Sequence, residues 1–182
     1  MSRIADLDPD ALTAEQRSVY DDVARVHGRV SGLWLTELRN PDVAHHFHAL
    51  YQRLGRHPEI GKRLIELMIL VVGRNFTAQY MWAQHERQAL ANGIAPAAVE
   101  AIRERRVPAF ERDDERIVYE LVRELLETNR ISARIFDQAL SAFGEKHLVE
   151  LISAVGLYTM IAMQLNAFEV RPESEARHLS EP

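Results

Sequence analysis

Residues 64–72 read Leu-Ile-Glu-Leu-Met-Ile-Leu-Val-Val. Wound at about 100° per residue, these side chains cover every face of a helix, which predicts a helix buried on all sides. One residue does not fit. Glu66 sits inside the apolar run, and burying an ionised carboxylate is costly unless it is paired or protonated. Two readings follow. Glu66 is either a buried carboxylate kept for general acid–base work, or a glutamate that reaches the edge of the run and caps a helix end or pairs with an arginine.

The next helix supplies a partner. Over residues 78–91, Ala78, Met81, Trp82, His85 and Ala89 share one face, which is apolar except for His85. A short connection near Asn75-Phe76 makes the two helices antiparallel neighbours. Glu66 lies about nine residues before that turn and His85 about nine after it, so both sit about 13 Å from it at the helical rise. A facing carboxylate and imidazole form a coupled pair that can shuttle one proton. The alternative for His85 is a core histidine satisfied by a backbone carbonyl.

Outward from this hairpin, helix signals are dense. Thr13-Ala-Glu-Gln16 is a capping box opening a helix to about residue 29. Asn40-Pro41 opens one to about 54, ended near Gly55. Pro58 opens the helix to about 74, and Thr77 caps the helix from 78 to 91, stopped by Asn92-Gly93. Further helices are expected over 96–103, 113–127, 132–144 and 146–168. No period-two alternation extends over a useful length. The expectation is one all-α domain of about eight helices over residues 13–170, with an N-terminal extension at 1–12 and a flexible, solvated tail at 171–182.

Composition narrows the function. The chain has 182 residues, 47% apolar and 27% charged, and a net charge of −5. An acidic chain without a basic stripe is a poor fit to nucleic acid. There are no cysteines, which rules out disulfides, thiolate metal sites and cysteine nucleophiles. No apolar signal region is visible in residues 1–10, and the longest apolar run, 67–72, is short for a membrane span, so a cytoplasmic location without a membrane partner is expected. Phosphate loops, HExxH and GxSxG are absent. His45, His46 and His48 cluster, but no third ligand at helical spacing completes a metal set, and Asp42 reads as a first-turn helix-dipole residue. No metal is therefore expected. Trp34 and Tyr80 are candidate pocket aromatics or core. Asn166 is a candidate ligand contact or a helix-end cap.

Arg63-Leu-Ile-Glu66, the stretch to Val71-Val-Gly-Arg74, Tyr80-Met-Trp-Ala-Gln-His85, Ala89 and Asn92-Gly93 resemble the carboxymuconolactone decarboxylase / alkylhydroperoxidase D-like family. Gly144-Glu-Lys-His-Leu-Val-Glu-Leu, Tyr158 and Leu165-Asn-Ala-Phe168 are similar to its longer members, and the resemblance spans about residues 28–170. It implies an all-α fold and a homo-oligomer, trimeric or hexameric. It also implies a peroxidase branch, with Cys-x-x-Cys on the histidine helix and a Glu–His proton relay, and a decarboxylase branch without the cysteines. The cysteine positions are Ala78 and Met81 here, so the thiol route is closed while Glu66 and His85 remain. The decarboxylase motif resembles Glu-Trp-x-x-His, and Met81 stands in place of its glutamate.

Together these readings lead to an expected cofactor-free enzyme acting on a small, anionic lactone or keto acid by proton transfer, with or without decarboxylation. Glu66 and His85 would be catalytic, with Glu66 delivering a proton to carbon and His85 stabilising a dienolate. Tyr80, Met81, Trp82, Asn166 and Trp34 would bind substrate. The alternatives are an idle, oligomeric binding or structural protein, and a histidine-bound metal.

Overall fold

The computed structural model describes residues 2–5, 7–30, 32–172 and 179–180. Among these there are eight α-helices and no strand: α1 (Ala14–His27), α2 (Leu33–Glu37), α3 (Pro41–Tyr51), α4 (Lys62–Asn75), α5 (Gln79–Ala91), α6 (Pro96–Arg103), α7 (Asp113–Thr128) and α8 (Ala133–Ala167). The all-α expectation holds, and α4 is the central post. It packs on α5, α6, α7 and α8, and Ile65, Glu66, Leu67, Met68, Ile69, Leu70 and Val72 are fully shielded from solvent. A smaller cluster of Val19, Val23, Leu38 and Ala44 ties α1 to α2 and α3.

The local signals act as read at several ends. Thr13 and Gln16 satisfy each other's amides in a capping box. Asn40 accepts from Val43 N ahead of Pro41. Gly28 closes α1 at φ 77°, so that helix stops at His27, short of 29.

Other boundaries move for physical reasons. α4 starts at Lys62 rather than at Pro58. The Glu150 carboxylate accepts from both Glu59 N and Ile60 N, and Gly61 at φ 99° breaks the path. Thr77 does not cap α5. It lies at φ 48°, and its hydroxyl accepts from Arg74 and Arg105. Ser132 spends its hydroxyl on Glu124 rather than on its own helix. α3 runs on into a π-helical turn, Gln52–Arg56. The expected break between the last two helices holds: α8 consists of two helical stretches that meet at Gly144, where the backbone leaves the helical region (φ 72°, ψ 167°).

The chain ends are partly tied down. Arg3 pairs with Glu169, and Arg3 N donates to Phe168 O. The expected solvated tail is corrected at two residues. Leu179 is buried and exchanges two hydrogen bonds with the Gln79 side chain, while Ser180 accepts from Arg74. Positions 173–178 and 181–182 of that tail lie outside the described residues. α8 is long and apolar enough to cross a membrane by length and composition alone, but 56% of its apolar window is buried inside the protein, as in a core helix.

Candidate active site

Antiparallel α4 and α5 bring Glu66 and His85 together. His85 Nδ1 and Glu66 Oε2 lie 2.7 Å apart, within hydrogen-bond distance. Glu66 has no solvent exposure and the His85 side chain only 14%. Neither arginine near Glu66 in sequence holds it. Arg63 pairs with Asp114 and Glu115 on α7, and Arg74 donates to Arg103 O and Ser180. The other carboxylate oxygen, Oε1, faces Lys62 Nζ at 3.5 Å.

His85 also lines a cavity of about 210 Å³. Leu33 and Trp34 of α2, Phe47 and Tyr51 of α3, and Tyr158, Ile161 and Leu165 of α8 form its apolar and aromatic wall. Tyr80, Met81, Gln84 and Gln88 of α5 complete it beside His85, with His27 and Arg29 on the remaining side. Glu66 is not among the cavity-lining residues, whereas its partner His85 is. His85 Nδ1 is engaged with Glu66, which leaves Nε2 as the ring nitrogen outside that contact.

Rings meet edge to face around this space. Trp34 is perpendicular to Tyr51, and Tyr158 is perpendicular to His85 with centroids 5.7 Å apart. The Tyr51 and Tyr158 rings lie side by side, with centroids 6.4 Å apart. Burial raises the Tyr51 hydroxyl above the ordinary phenol range, and the Glu66 charge adds to this. Burial, the neighbouring Tyr51 and Glu66 push Tyr158 well above that range. Both hydroxyls are therefore neutral donors at physiological pH. Burial, then Arg56 and His48, lower His27 to about 4, so its ring is neutral as well. Glycine makes room at one edge: a Cβ at Gly32, which lies at φ 58°, would collide with the Tyr80 hydroxyl.

Of the expected substrate contacts, Trp34, Tyr80 and Met81 line the cavity, and two do not. Trp82 is 1% exposed in the core, with the Arg103 guanidinium over its ring. At about 100° per residue, Trp82 and Met81 fall on opposite sides of His85, one toward the core and one toward the cavity. Asn166 is exposed and donates to Phe76 O at 2.7 Å, closing the end of α4. Among the described residues no group of three His, Asp or Glu side chains could hold a metal. His45 and His46 are exposed, whereas His48 is buried and accepts from Gln52.

Sequence reasoning missed Tyr51, His27, Arg29, Gln84, Gln88 and Lys62. Gln84 and Gln88 were legible in principle, because with Met81 they form a row at i, i+3 and i+7 beside His85. The residues from α1, α3 and α8 carry no local signal, since only tertiary packing brings them here.

No family model and no curated protein matches this chain. Solved structures do match. The alkylhydroperoxidase AhpD core protein from Ralstonia eutropha JMP134, described as peroxidase-related, superposes with a TM-score of 0.80 at 16% identity, over 96% of this chain and 93% of that one. A peroxidase-related protein from Silicibacter sp. TM1040 gives 0.75 at 18% identity, over 94% and 92%. The debrominase Bmp8, as a cysteine-to-alanine variant in complex with 2,3,4-tribromopyrrole, gives 0.73 at 18% identity, over 94% and 91%. The chain thus has the alkylhydroperoxidase D-like fold that its Glu66–His85 motif resembles.

Proposed function

We propose that this chain is a proton-transfer enzyme acting on a small, anionic lactone or keto acid, in which His85 handles the proton and Glu66 works behind it. The observation that carries the reading is the 2.7 Å contact between a fully buried carboxylate and an imidazole that lines a cavity. The cavity volume suits a single-ring or short-chain substrate. Arg29 is among its lining residues. The pyrrole bound by Bmp8 supports a single-ring ligand in this fold.

In this reading the division of labour differs from the one expected from sequence. Glu66 has no solvent exposure and is not among the lining residues, so it acts through His85. His85 Nε2 is the atom that meets substrate, and Glu66 fixes the tautomer and balances the imidazolium charge. In a decarboxylation, the bond from the ring carbon to the carboxylate breaks and CO₂ leaves. The electron pair spreads into a dienolate, to which imidazolium Nε2–H delivers its proton. In an isomerisation, neutral Nε2 removes a proton next to a carbonyl and returns it to another carbon. Both routes use protein side chains alone, and neither uses the thiols that this sequence lacks.

The reading of an idle, structural protein asked for Glu66 locked to an arginine and no space beside His85. The arginine pairings and the cavity speak against it. The test is a panel of carboxylated lactones and keto acids screened for CO₂ release and isomerisation. Turnover is expected in the native protein and a loss of about 10²–10⁴-fold in Glu66→Gln. Equal turnover in a folded Glu66→Gln protein would remove the proposed role. A cytoplasmic location and assembly into a homo-oligomer belong to the same proposal.

A further inference from the structure

We propose that Lys62 is a positioning residue for the Glu66–His85 pair, holding the carboxylate ionised so that the proton of the pair stays on His85 Nδ1 and Nε2 remains open to the cavity. This rests on the proton-transfer reading above in its isomerisation form, in which neutral Nε2 removes the proton.

The lysine is placed by an interlocking set of backbone bonds. A helix continuing past the π-helical turn would bring a backbone amide near residue 59 to the Gly55 carbonyl. The Glu150 carboxylate instead takes Glu59 N and Ile60 N, each at 2.9 Å. Lys62 Nζ donates to Gly55 O at 2.7 Å, and the same ammonium lies 3.5 Å from Glu66 Oε1, one helical turn along α4. Each oxygen of Glu66 thus has its own partner: Oε1 an ammonium, Oε2 an imidazole N–H.

The groups around the carboxylate favour this division. From α3 and α8 the facing titratable groups are Tyr51 and Tyr158, both neutral phenols, and from α5 it is His85. Arg56, in the π-helical turn, acts on Tyr51. Lys62 is the cation in contact with Glu66. A positive charge there opposes arrival of a second proton anywhere in the pair, whether on Glu66 or on His85 Nε2. Without it the pair takes up that proton at higher pH.

The experiment is a pH titration of the histidine ring nitrogens by ¹⁵N NMR on the whole protein, native and as Lys62→Met, Lys62→Gln and Lys62→Arg. The His85 signals are assigned by their loss in His85→Gln. The native ring is expected as the Nδ1–H tautomer. Its protonation midpoint should rise by at least about half a pH unit in Lys62→Met and Lys62→Gln and return in Lys62→Arg. An unmoved midpoint in either neutral variant that retains the native helical circular dichroism would overturn the proposal, because a purely structural lysine alters stability without moving that titration. If the midpoint shifts while Glu66→Gln keeps full turnover, the positioning is right and the proton-transfer reading falls. If Glu66→Gln loses turnover while the midpoint stays, the reading stands and the role of Lys62 falls.

Discussion

Gly55 shows how tightly the side chains behind the cavity are fitted. Its φ is ordinary, but a Cβ there would sit 2.7 Å from the Tyr158 hydroxyl and 3.2 Å from the Tyr51 ring. Tyr158 also stands edge-on to His85. Gly55→Ala should therefore displace the tyrosine pair and destabilise the fold by about 1–3 kcal/mol in urea unfolding, the usual scale of overpacking. An unchanged unfolding midpoint would show that the tyrosines yield freely. His27 sets a pH response. Its folded value, about 4, lies below its ordinary 6.5, so between these values the unfolded chain holds the extra proton. Stability from this residue is full above about pH 6.5 and is lost as the pH falls toward 4. The melting temperature should drop across that window and drop less in His27→Gln; equal slopes would assign the loss to other groups. Glu66 itself was legible from sequence, because one acid in a nine-residue apolar run has few explanations. Lys62 was not, because its role depends on a carbonyl that Glu150, far along the chain, leaves unclaimed.

At the scale of elements, the α4–α5 hairpin is what the sequence displays best. An apolar helix, a short connection and a second helix with one polar residue on its inner face are enough to align Glu66 with His85. The finer boundaries were hidden, since Glu150 and Gly61 delay the start of α4 and the Thr77 hydroxyl is taken by two arginines. The same applies to Trp82, whose residue type suggested a pocket but whose angle on α5 sends it into the core. Gly144, read as a helix end, does interrupt the helical path, and the two expected helices meet there in a kink. Its φ of 72° with ψ of 167° belongs to a region that other residues enter only under strain, and a Cβ there would meet nothing within 4 Å. Gly144→Ala should therefore cost about 1–3 kcal/mol through the backbone alone. Calorimetry giving no loss would mean that α8 straightens without penalty.

At the scale of the molecule, the cavity draws on five helices, so the site exists only in the assembled domain. That is why its α4–α5 side was legible in sequence and its α1, α3 and α8 side was not. The outer face of α8 leaves Val149 and Met163 more than half exposed, in keeping with the proposed assembly of copies. Light scattering should give a multiple of the 20.8 kDa chain mass, and a monomer would contradict that part of the account. The most direct test of the central claim is solvent deuterium incorporation into a keto acid or lactone that the protein binds, followed by NMR in D₂O. The native protein should label the carbon next to the carbonyl, with Glu66→Gln and His85→Gln slower by about 10²–10⁴-fold. Labelling at the native rate in both folded variants would contradict it.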